Sequence, residues 1–423
     1  MSITHDTYAA AFGFPFKAGG GVTSARGFTA AGIHAGFRAN PHRLDMAIVA
    51  AQAPCPTAAV FTRNAFCAAP VRVSRDRLGG VIGESYGTAQ AVIVNSGNAN
   101  AATGEEGVRT AEAAAEIVAE HLEIPPRDVL VASTGVIGVP LPLTPFRHGV
   151  PEAAAKLSRE GGTDAACAIM TTDTVEKECA VTFQVENTTF TVGGMAKGSG
   201  MIMPDMATMI AVLTTDAPLA PAVLHKALHA ATAASFNKVT VDSDSSTNDT
   251  CILMASGAAA DTMAPFSVGS AAYEAFQKAL TQVCVALARA MARDGEGASK
   301  LVTVHVRGAA SADEADVAAR AVANSPLVKT AVTGRDANWG RIAAALGKSG
   351  ARFDQHKVDI DIMGLPVCRA GMAQPFDEAE ARKRFENSEI VLEADLGAGE
   401  HAATLWTCDL THSYIDINAD YRS

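Results

Sequence analysis

The sequence predicts a mixed α/β or α+β fold in which layered sheets are flanked by helices. Of the 423 residues, 48% are hydrophobic, so enough apolar surface exists to offset the entropy lost on ordering the chain. Short apolar runs typical of strands alternate with helical patterns along the whole chain. The length exceeds that of one ordinary hydrophobic core and therefore suggests two or three domains.

Three long helices are predicted from apolar periodicity and end signals. They run from Thr103 to about Leu122, from Pro221 to about Phe236, and from Ser270 to about Arg293. The third helix has apolar residues at helical spacing, namely Tyr273, Phe276, Leu280, Val283, Leu287 and Met291. Ser311 and Glu314 have the spacing of a capping box, which predicts the start of a further helix.

Strands are predicted where apolar or alternating runs end in turn residues. The predicted segments are Ala91 to Val94, Val129 to Ala132, a hairpin from Cys179 to Val192, Thr208 to Thr215, Leu301 to Val306, Val358 to Met363, Ile390 to Ala394, and Ala403 to Cys408. The first run leads into a turn at Asn95-Ser96-Gly97-Asn98, and the second into Ser133-Thr134-Gly135. The order of the strands in the sheets does not follow from the sequence.

Composition excludes several classes of function. The formal net charge of −11 argues against nucleic acid as the main partner, although a local positive site could still bind an anionic substrate. Eight scattered cysteines without a CxxC motif predict neither a disulfide framework nor a zinc site. The N-terminus lacks the pattern of a secretory signal, and no apolar run has the length of a membrane span. We therefore expect a cytoplasmic protein without a membrane partner.

The most unusual segment lies between Ala196 and Met209. Its first half is a glycine-rich loop around Lys197, and Thr208 opens the apolar β run that follows. A threonine in this place suits an N-terminal nucleophile, because its own α-amine could act as general base once the preceding peptide bond is broken. A phosphate-binding loop or a plain turn remains open, although the order of residues is not that of a Walker A loop.

A second candidate site is the turn that contains Thr134 and Gly135. A glycine N–H and a neighbouring hydroxyl can point at one oxygen, as an oxyanion hole requires. The alternative is an ordinary turn at the end of a strand. The acidic stretch from Thr240 to Thr250 lacks the spaced glycine and the terminal glutamate of an EF-hand, so we expect no metal site. A polar turn between two strands that lines a cleft or caps a loop is the better interpretation.

Two further polar segments lie in the second half of the chain. Gly295 is a candidate C-terminal cap of the long helix, and Glu296 lies between two glycines. Two interpretations of Glu296 stay open: it binds a substrate ammonium, or it is a solvated acid in a loop. In the stretch from Thr333 to Arg341, Asn338 is the expected N-cap of a helix.

Seven strings of this sequence, in order and spread over nearly the whole chain, resemble the glutamate N-acetyltransferase family, also called ornithine acetyltransferase. They are Asn95-Ser96-Gly97-Asn98-Ala99-Asn100, Ser133-Thr134-Gly135-Val136-Ile137-Gly138, Lys197-Gly198-Ser199-Gly200-Met201-Ile202, Met206-Ala207-Thr208-Met209, Asp242-Ser243-Asp244-Ser245-Ser246-Thr247-Asn248-Asp249, Asp294-Gly295-Glu296-Gly297-Ala298 and Gly334-Arg335-Asp336-Ala337-Asn338-Trp339-Gly340-Arg341. One such string would be a weak signal, but seven together are specific.

The resemblance implies a fold similar to the N-terminal-nucleophile enzymes, cut between Ala207 and Thr208. The products would be an alpha chain of residues 1–207 and a beta chain of residues 208–423, interleaved in one molecule. The resemblance also implies that Thr208 is the acetylated nucleophile and that Thr134 and Gly135 form the oxyanion hole. The implied substrate contacts are Thr171, Lys197, Thr208, Glu296, Asn418 and Ser423. The family commonly ends in threonine, and Ser423 keeps the hydroxyl group.

The implied activity is ping-pong transfer of an acetyl group from N-acetylornithine to glutamate in arginine biosynthesis, without a cofactor. Whether acetyl-CoA is a second donor, which would make the enzyme multifunctional, stays open. The resemblance further implies a heterotetramer of two alpha and two beta chains. Two alternatives remain at this stage, a self-processing aminopeptidase or amidohydrolase and a metabolite-binding protein in which Thr208 never becomes a terminus.

Overall fold

Two separate β-sheets with helices packed against them make up this computed structural model, which describes residues 6–80, 85–203, 209–260 and 262–420. The first sheet contains β1 (Phe28–Ile33), β2 (Met46–Phe61), β3 (Ser85–Asn98), β4 (Val129–Val136), β5 (Lys177–Val185), β6 (Thr188–Lys197), β7 (Ile210–Thr215) and β8 (Thr250–Ala255). The second contains β9 (Leu301–Ala309), β10 (Asp359–Ile362), β11 (Leu365–Arg369), β12 (Met372–Ala373), β13 (Glu389–Asp395) and β14 (His401–Cys408).

The strand order of the first sheet is β4-β3-β2-β8-β7-β6-β5, and β1 pairs with the first part of β2. The β3/β4 and β7/β8 pairs are parallel, and the other neighbours are antiparallel. Every residue of β7 and β8 is buried, as expected for central strands covered on both faces. The second sheet has the order β12-β11-β10-β13-β9-β14, with β9 and β13 parallel.

Twelve α-helices cover the sheets within the described ranges. They are α1 (Thr7–Ala10), α2 (Ala69–Arg77), α3 (Gly104–Leu122), α4 (Thr144–Lys156), α5 (Gly162–Ala168), α6 (Pro221–Ala233), α7 (Ala271–Arg293), α8 (Ala312–Ala323), α9 (Pro326–Thr333), α10 (Trp339–Gly347), α11 (Glu378–Arg384) and α12 (His412–Asp420). Short 3₁₀ turns occur at Pro126–Asp128, Phe236–Lys238 and Gln355–Lys357. None of the helices in these ranges is long and apolar enough to cross a membrane.

Helix α7 connects the two sheets. It packs on β5 and β6 of the first sheet and on β9 and β14 of the second. The six apolar positions predicted for its buried face are all buried, and Ser270 caps it by accepting a hydrogen bond from the Tyr273 N–H at 3.1 Å. Arg289, also buried, pairs with Asp6 at 2.7 Å and Glu389 at 2.9 Å, because a buried cation needs charged partners.

The predicted class, α/β with layered sheets and flanking helices, is confirmed, as is the hairpin, which is formed by β5 and β6. The predicted turns at Asn95–Asn98 and Ser133–Gly135 were wrong, because β3 continues to Asn98 and β4 to Val136. A bulge at Asn98 keeps these polar ends paired. The division into chains 1–207 and 208–423 stays a prediction.

At three helix ends the structure differs from the prediction in how the end is capped. Thr103 precedes α3 but makes no side-chain cap, since its hydroxyl donates to Asn100 Oδ1 at 2.8 Å. The capping box of α8 is half formed: Ser311 Oγ accepts from the Glu314 N–H, whereas the Glu314 carboxylate accepts from Arg352 at 2.7 Å. The C-cap of α7 is Asp294, so Gly295 lies one residue beyond it. Asn338 is the N-cap of α10, as predicted.

Candidate active site

A polar cleft of about 810 Å³, part of it open to solvent, lies where β4, β6, the loop after α7 and α12 approach one another. Its wall includes six of the predicted site residues, Thr134, Gly135, Thr171, Lys197, Glu296 and Asn418. The acidic stretch before β8 also lines it, through Asp242, Asp244, Ser246, Thr247 and Asn248. The sequence-based expectation that this stretch lines a cleft is confirmed.

Thr134 and Gly135 are fixed by backbone packing at the end of β4. Gly135 has φ of +134°, and a Cβ there would lie 2.3 Å from the carbonyl carbon of Gly97, so only glycine fits. Asn248 holds the same end of β4, because its side-chain amide donates to the Ser133 carbonyl at 2.8 Å and to the Ala99 carbonyl at 2.6 Å. Three of the seven strings therefore meet within one network.

Lys197 ends β6 with its side chain buried beside Thr134. Its Nζ lies 3.5 Å from Thr134 Oγ1. Burial lowers the pKa of the Lys197 amine below its ordinary value, and the carboxylate of Asp173 offsets this only in part. The charge of this lysine thus depends on its neighbours. Its amine lies next to Thr134 of the candidate oxyanion hole.

Glu296 enters the cleft opposite this lysine. Asn418 Nδ2 donates to Glu296 Oε2 at 2.8 Å, and the Glu296 N–H donates to the Ser199 carbonyl at 2.9 Å. The glutamate fits because residue 200 is glycine, where a Cβ would lie 2.3 Å from the Glu296 carboxyl carbon. A carboxylate with one amide partner and an open cleft before it can bind a substrate ammonium.

Two cleft residues were not among the candidates from the sequence. Asp242 accepts hydrogen bonds from the N–H groups of Met201 at 2.6 Å and Ile202 at 2.8 Å and so holds the glycine-rich loop. Tyr414 lies 3.4 Å from Asp242 through its hydroxyl, and burial, together with Asp242 and Glu296, raises the pKa of that hydroxyl well above its ordinary value. The acidic string pointed to Asp242, whereas a tyrosine far along the chain gave no local signal.

Beneath the cleft floor lies a buried charge cluster that the sequence did not predict. Lys177 Nζ contacts Asp173 Oδ1 at 2.7 Å and Asp294 Oδ2 at 2.5 Å. Burial opposes ionisation of Asp173, but Lys177 and then Lys197 outweigh it and hold the pKa of this carboxyl well below its ordinary value. The residues come from two distant segments, so their pairing has no signature in the sequence.

Three predicted site residues, Ala207, Thr208 and Ser423, lie outside the described residues. The six others lie together in one cleft, although they come from positions 134 to 418 of the chain. Among the described residues, no group of three or more His, Cys, Asp or Glu side chains could hold a metal ion. The fold and the cleft thus define an α/β protein with a small, polar, charged binding site.

Comparison with known proteins identifies the family. A profile of the ArgJ family matches residues 29–423. The chain is 51% identical over 405 residues to the arginine biosynthesis bifunctional protein ArgJ of Symbiobacterium thermophilum, covering 96% of this chain and 99% of the relative. It is 46% identical over 419 residues to the protein of that name from Thermosynechococcus vestitus, covering 96% and 98%.

Two solved structures are also similar in sequence. The ArgJ protein of Bacillus halodurans is 41% identical, with a TM-score of 0.48, covering 50% of this chain and 98% of that one. Ornithine acetyltransferase of Mycobacterium tuberculosis, solved with ornithine, is 41% identical, with a TM-score of 0.41, covering 45% and 97%. The chain belongs to the ArgJ family. It is an acyltransferase of arginine biosynthesis, a glutamate N-acetyltransferase.

Proposed function

We propose that this acetyltransferase moves the acetyl group of N-acetylornithine to glutamate through an acetyl-threonine at Thr208. One observation carries the assignment of the site: six of the residues implied by the resemblance converge on a single cleft. The crystal structure of the Mycobacterium tuberculosis relative with ornithine supports an ornithine-type substrate. The reaction needs no cofactor, and an α-carboxylate shared by both substrates explains how one pocket serves both.

In the first half-reaction, Thr208 Oγ attacks the acetyl carbonyl and forms a tetrahedral oxyanion, while the free α-amine of Thr208 takes the hydroxyl proton and becomes an ammonium. Thr134 and the Gly135 N–H stabilise this oxyanion, a contribution of about 3 kcal/mol per donor in comparable sites. The C–N bond then breaks, and the departing ornithine amine takes a proton from the α-ammonium of Thr208. In the second half-reaction the glutamate amine attacks the acetyl-threonine and the same groups act in reverse.

Recognition follows from the charges of the cleft. Lys197 binds the α-carboxylate of either substrate, and Thr171 and Ser423 add hydrogen bonds. Glu296, oriented by Asn418 at 2.8 Å, binds the side-chain ammonium of ornithine. We further propose a cytoplasmic heterotetramer of two alpha and two beta chains for the mature enzyme.

The nucleophile requires cleavage before Thr208, which a denaturing gel tests directly. Wild-type protein is expected to run as two bands of similar size, and Thr208→Ala as one full-length band without activity. Thr208→Ser keeps a hydroxyl and serves as the matched control, with cleavage retained. A fully active wild-type protein that runs as one band would contradict the N-terminal nucleophile.

The acceptor and the donor are tested by separate assays. With N-acetylornithine as donor, product analysis is expected to show N-acetylglutamate, whereas an aminopeptidase or amidohydrolase would release acetate without glutamate. The curated relatives are named bifunctional. Glutamate acetylation with acetyl-CoA alone therefore decides whether this chain also uses that donor.

A further inference from the structure

The buried cluster of Asp173, Lys177 and Asp294 ties together the three loops that form the proposed substrate pocket. Asp173 accepts from the N–H groups of Thr171 at 2.9 Å and Gly198 at 2.7 Å. It thereby joins the loop before β5 to the loop after β6. Thr171 lies in the first loop, and Lys197, the last residue of β6, directly precedes the second; both are proposed substrate contacts.

Asp294 makes the third connection. Its carboxylate accepts from the Thr174 N–H at 3.0 Å, and its backbone carbonyl accepts from Ser199 Oγ at 2.6 Å. The loop that carries Glu296 is thus fastened to both of the others. A single ammonium, Lys177 Nζ, forms ion pairs with both carboxylates, and its side chain is 1% exposed.

Lys197 is flanked by this cluster. The titratable groups that face it are Asp173 and Lys177 from the segment around β5, Glu296 from the loop after α7, and Asp249 from the stretch before β8. Burial raises the pKa of the Asp249 carboxyl well above its ordinary value. Among them Asp173 supports the charged form of Lys197 most strongly, and Lys177 opposes it. Asp294 contacts Lys177 at 2.5 Å and influences Lys197 less than these four groups do.

We propose that Lys177 is a positioning residue which, by sharing its charge between Asp173 and Asp294, holds the three substrate loops together and sets the protonation state of Lys197. This inference rests on the proposed function, in which Lys197 binds the α-carboxylate of both substrates. Lys197 is charged below its pKa, so carboxylate binding is present there and is lost as the pH rises through that value. The cluster therefore sets the alkaline limit of substrate binding.

Three variants separate this role from a merely structural one. Lys177→Met removes an opposing cation, so the alkaline limb of kcat/KM is expected to move up by about one pH unit. Asp173→Asn removes the supporting carboxylate, so the limb moves down by a similar amount. Asp294→Asn loosens the same loops but is expected to leave the limb within roughly 0.3 pH unit of wild type, because Asp294 influences Lys197 less than Asp173 and Lys177 do.

Lys177→Met leaves two buried carboxylates without a cation and can fail to fold. The double variant Lys177→Met/Asp294→Asn removes one charge of each sign, and its alkaline limb is expected to rise as well. The pKa of the Lys197 amine can be measured without an activity assay by NMR titration of protein whose lysines carry ¹³C at Cε. The Lys197 signal is assigned as the one that is lost in Lys197→Met. Failure of acetyl transfer would count against the proposed function alone. If the pKa of Lys197 shifts in the same direction in Lys177→Met and Asp173→Asn, or shifts in neither, the proposed role of Lys177 is wrong.

Discussion

Gly135 and Gly200, two glycines of the cleft, differ in the atoms that an added side chain would meet. At Gly135 an added methyl group would meet backbone atoms, which cannot move. At Gly200 it would meet the far end of the Glu296 side chain, 2.3 Å from its carboxyl carbon. Substitution at Gly135 therefore disrupts the fold, whereas substitution at Gly200 displaces one functional side chain.

For Gly200→Ala we expect a folded, cleaved enzyme whose KM for N-acetylornithine rises roughly 10-fold, because Glu296 no longer faces the ammonium. Steady-state kinetics and a denaturing gel provide the measurements. Gly347→Ala is the matched control, since an added Cβ there meets no atom within 4 Å. An unchanged KM in Gly200→Ala would show that the position of Glu296 is unimportant for this substrate.

Glu296 itself can be neutralised with little change of shape. Glu296→Gln keeps an oxygen that can accept from Asn418, but it loses the charge opposite the ornithine ammonium. A hydrogen bond to a charged group contributes about 1.5–3 kcal/mol, so the KM for N-acetylornithine is expected to rise roughly 10- to 100-fold. Glutamate lacks that ammonium, so its KM in the same assay is an internal control. Equal losses for both substrates would argue against the proposed pairing.

Among the single elements, the N-cap of α8 allows the clearest test of how one local contact contributes to the free energy of unfolding. Ser311 Oγ accepts from the Glu314 N–H at 3.2 Å. Ser311→Ala is expected to lower the free energy of unfolding by about 1 kcal/mol, because an N–H at the start of the helix loses its partner. Urea unfolding followed by circular dichroism measures the change. Ser311→Asp, which keeps an acceptor, is expected to unfold close to wild type; equal loss in both would exclude capping as the cause.

Local signals in the sequence predicted elements well and their pairing poorly. The buried face of α7 and the hairpin of β5 and β6 follow from short-range periodicity, which the structure confirms. Contacts between distant segments do not, because nothing near Lys177 in the chain indicates Asp294 as its partner. The turn containing Thr134 was misassigned for the same reason, since pairing with β3 extends β4 beyond its apolar part.

The cleft shows the same limit. Thr134, Lys197 and Glu296 lie in strings that resemble a family, and spacing alone leaves each of them with an alternative. Thr171 and Asn418 lie outside those strings and follow only from the resemblance. Only the fold brings Asn418 within 2.8 Å of Glu296. Tyr414, in the same helix, was missed because a partly apolar helix near the C-terminus has no distinctive pattern.

For the whole molecule, the two proposed chains share one sheet. Strands β7 and β8, from residues 208–423, lie between β6 and β2, from residues 1–207. Strand β7 pairs with β6 along its whole length, and β8 pairs with the end of β2. Separating the chains would therefore open the middle of the first sheet and expose its buried strands.

After cleavage, the two chains are expected to elute together in size-exclusion chromatography without denaturant. They should also lose structure in one step on heating, because neither keeps a complete core alone. Uncleaved Thr208→Ala protein is the control and should elute at the same volume as the cut enzyme. Elution of two separate folded chains would contradict a shared sheet.

The interleaved sheet also orders events during protein synthesis. When β6 has left the ribosome, the edge of β6 that pairs with β7 and the edge of β2 that pairs with β8 are still unpaired, because β7 and β8 come later in the chain. At roughly 5–20 residues per second, β8 follows β6 after roughly 3 to 12 s, a period in which two unpaired edges are open to chaperones or to wrong partners. A nascent chain cannot complete its sheet before both central strands are inserted. Because β7 and β8 stay paired with β6 and β2, the proposed cut releases neither chain from the molecule.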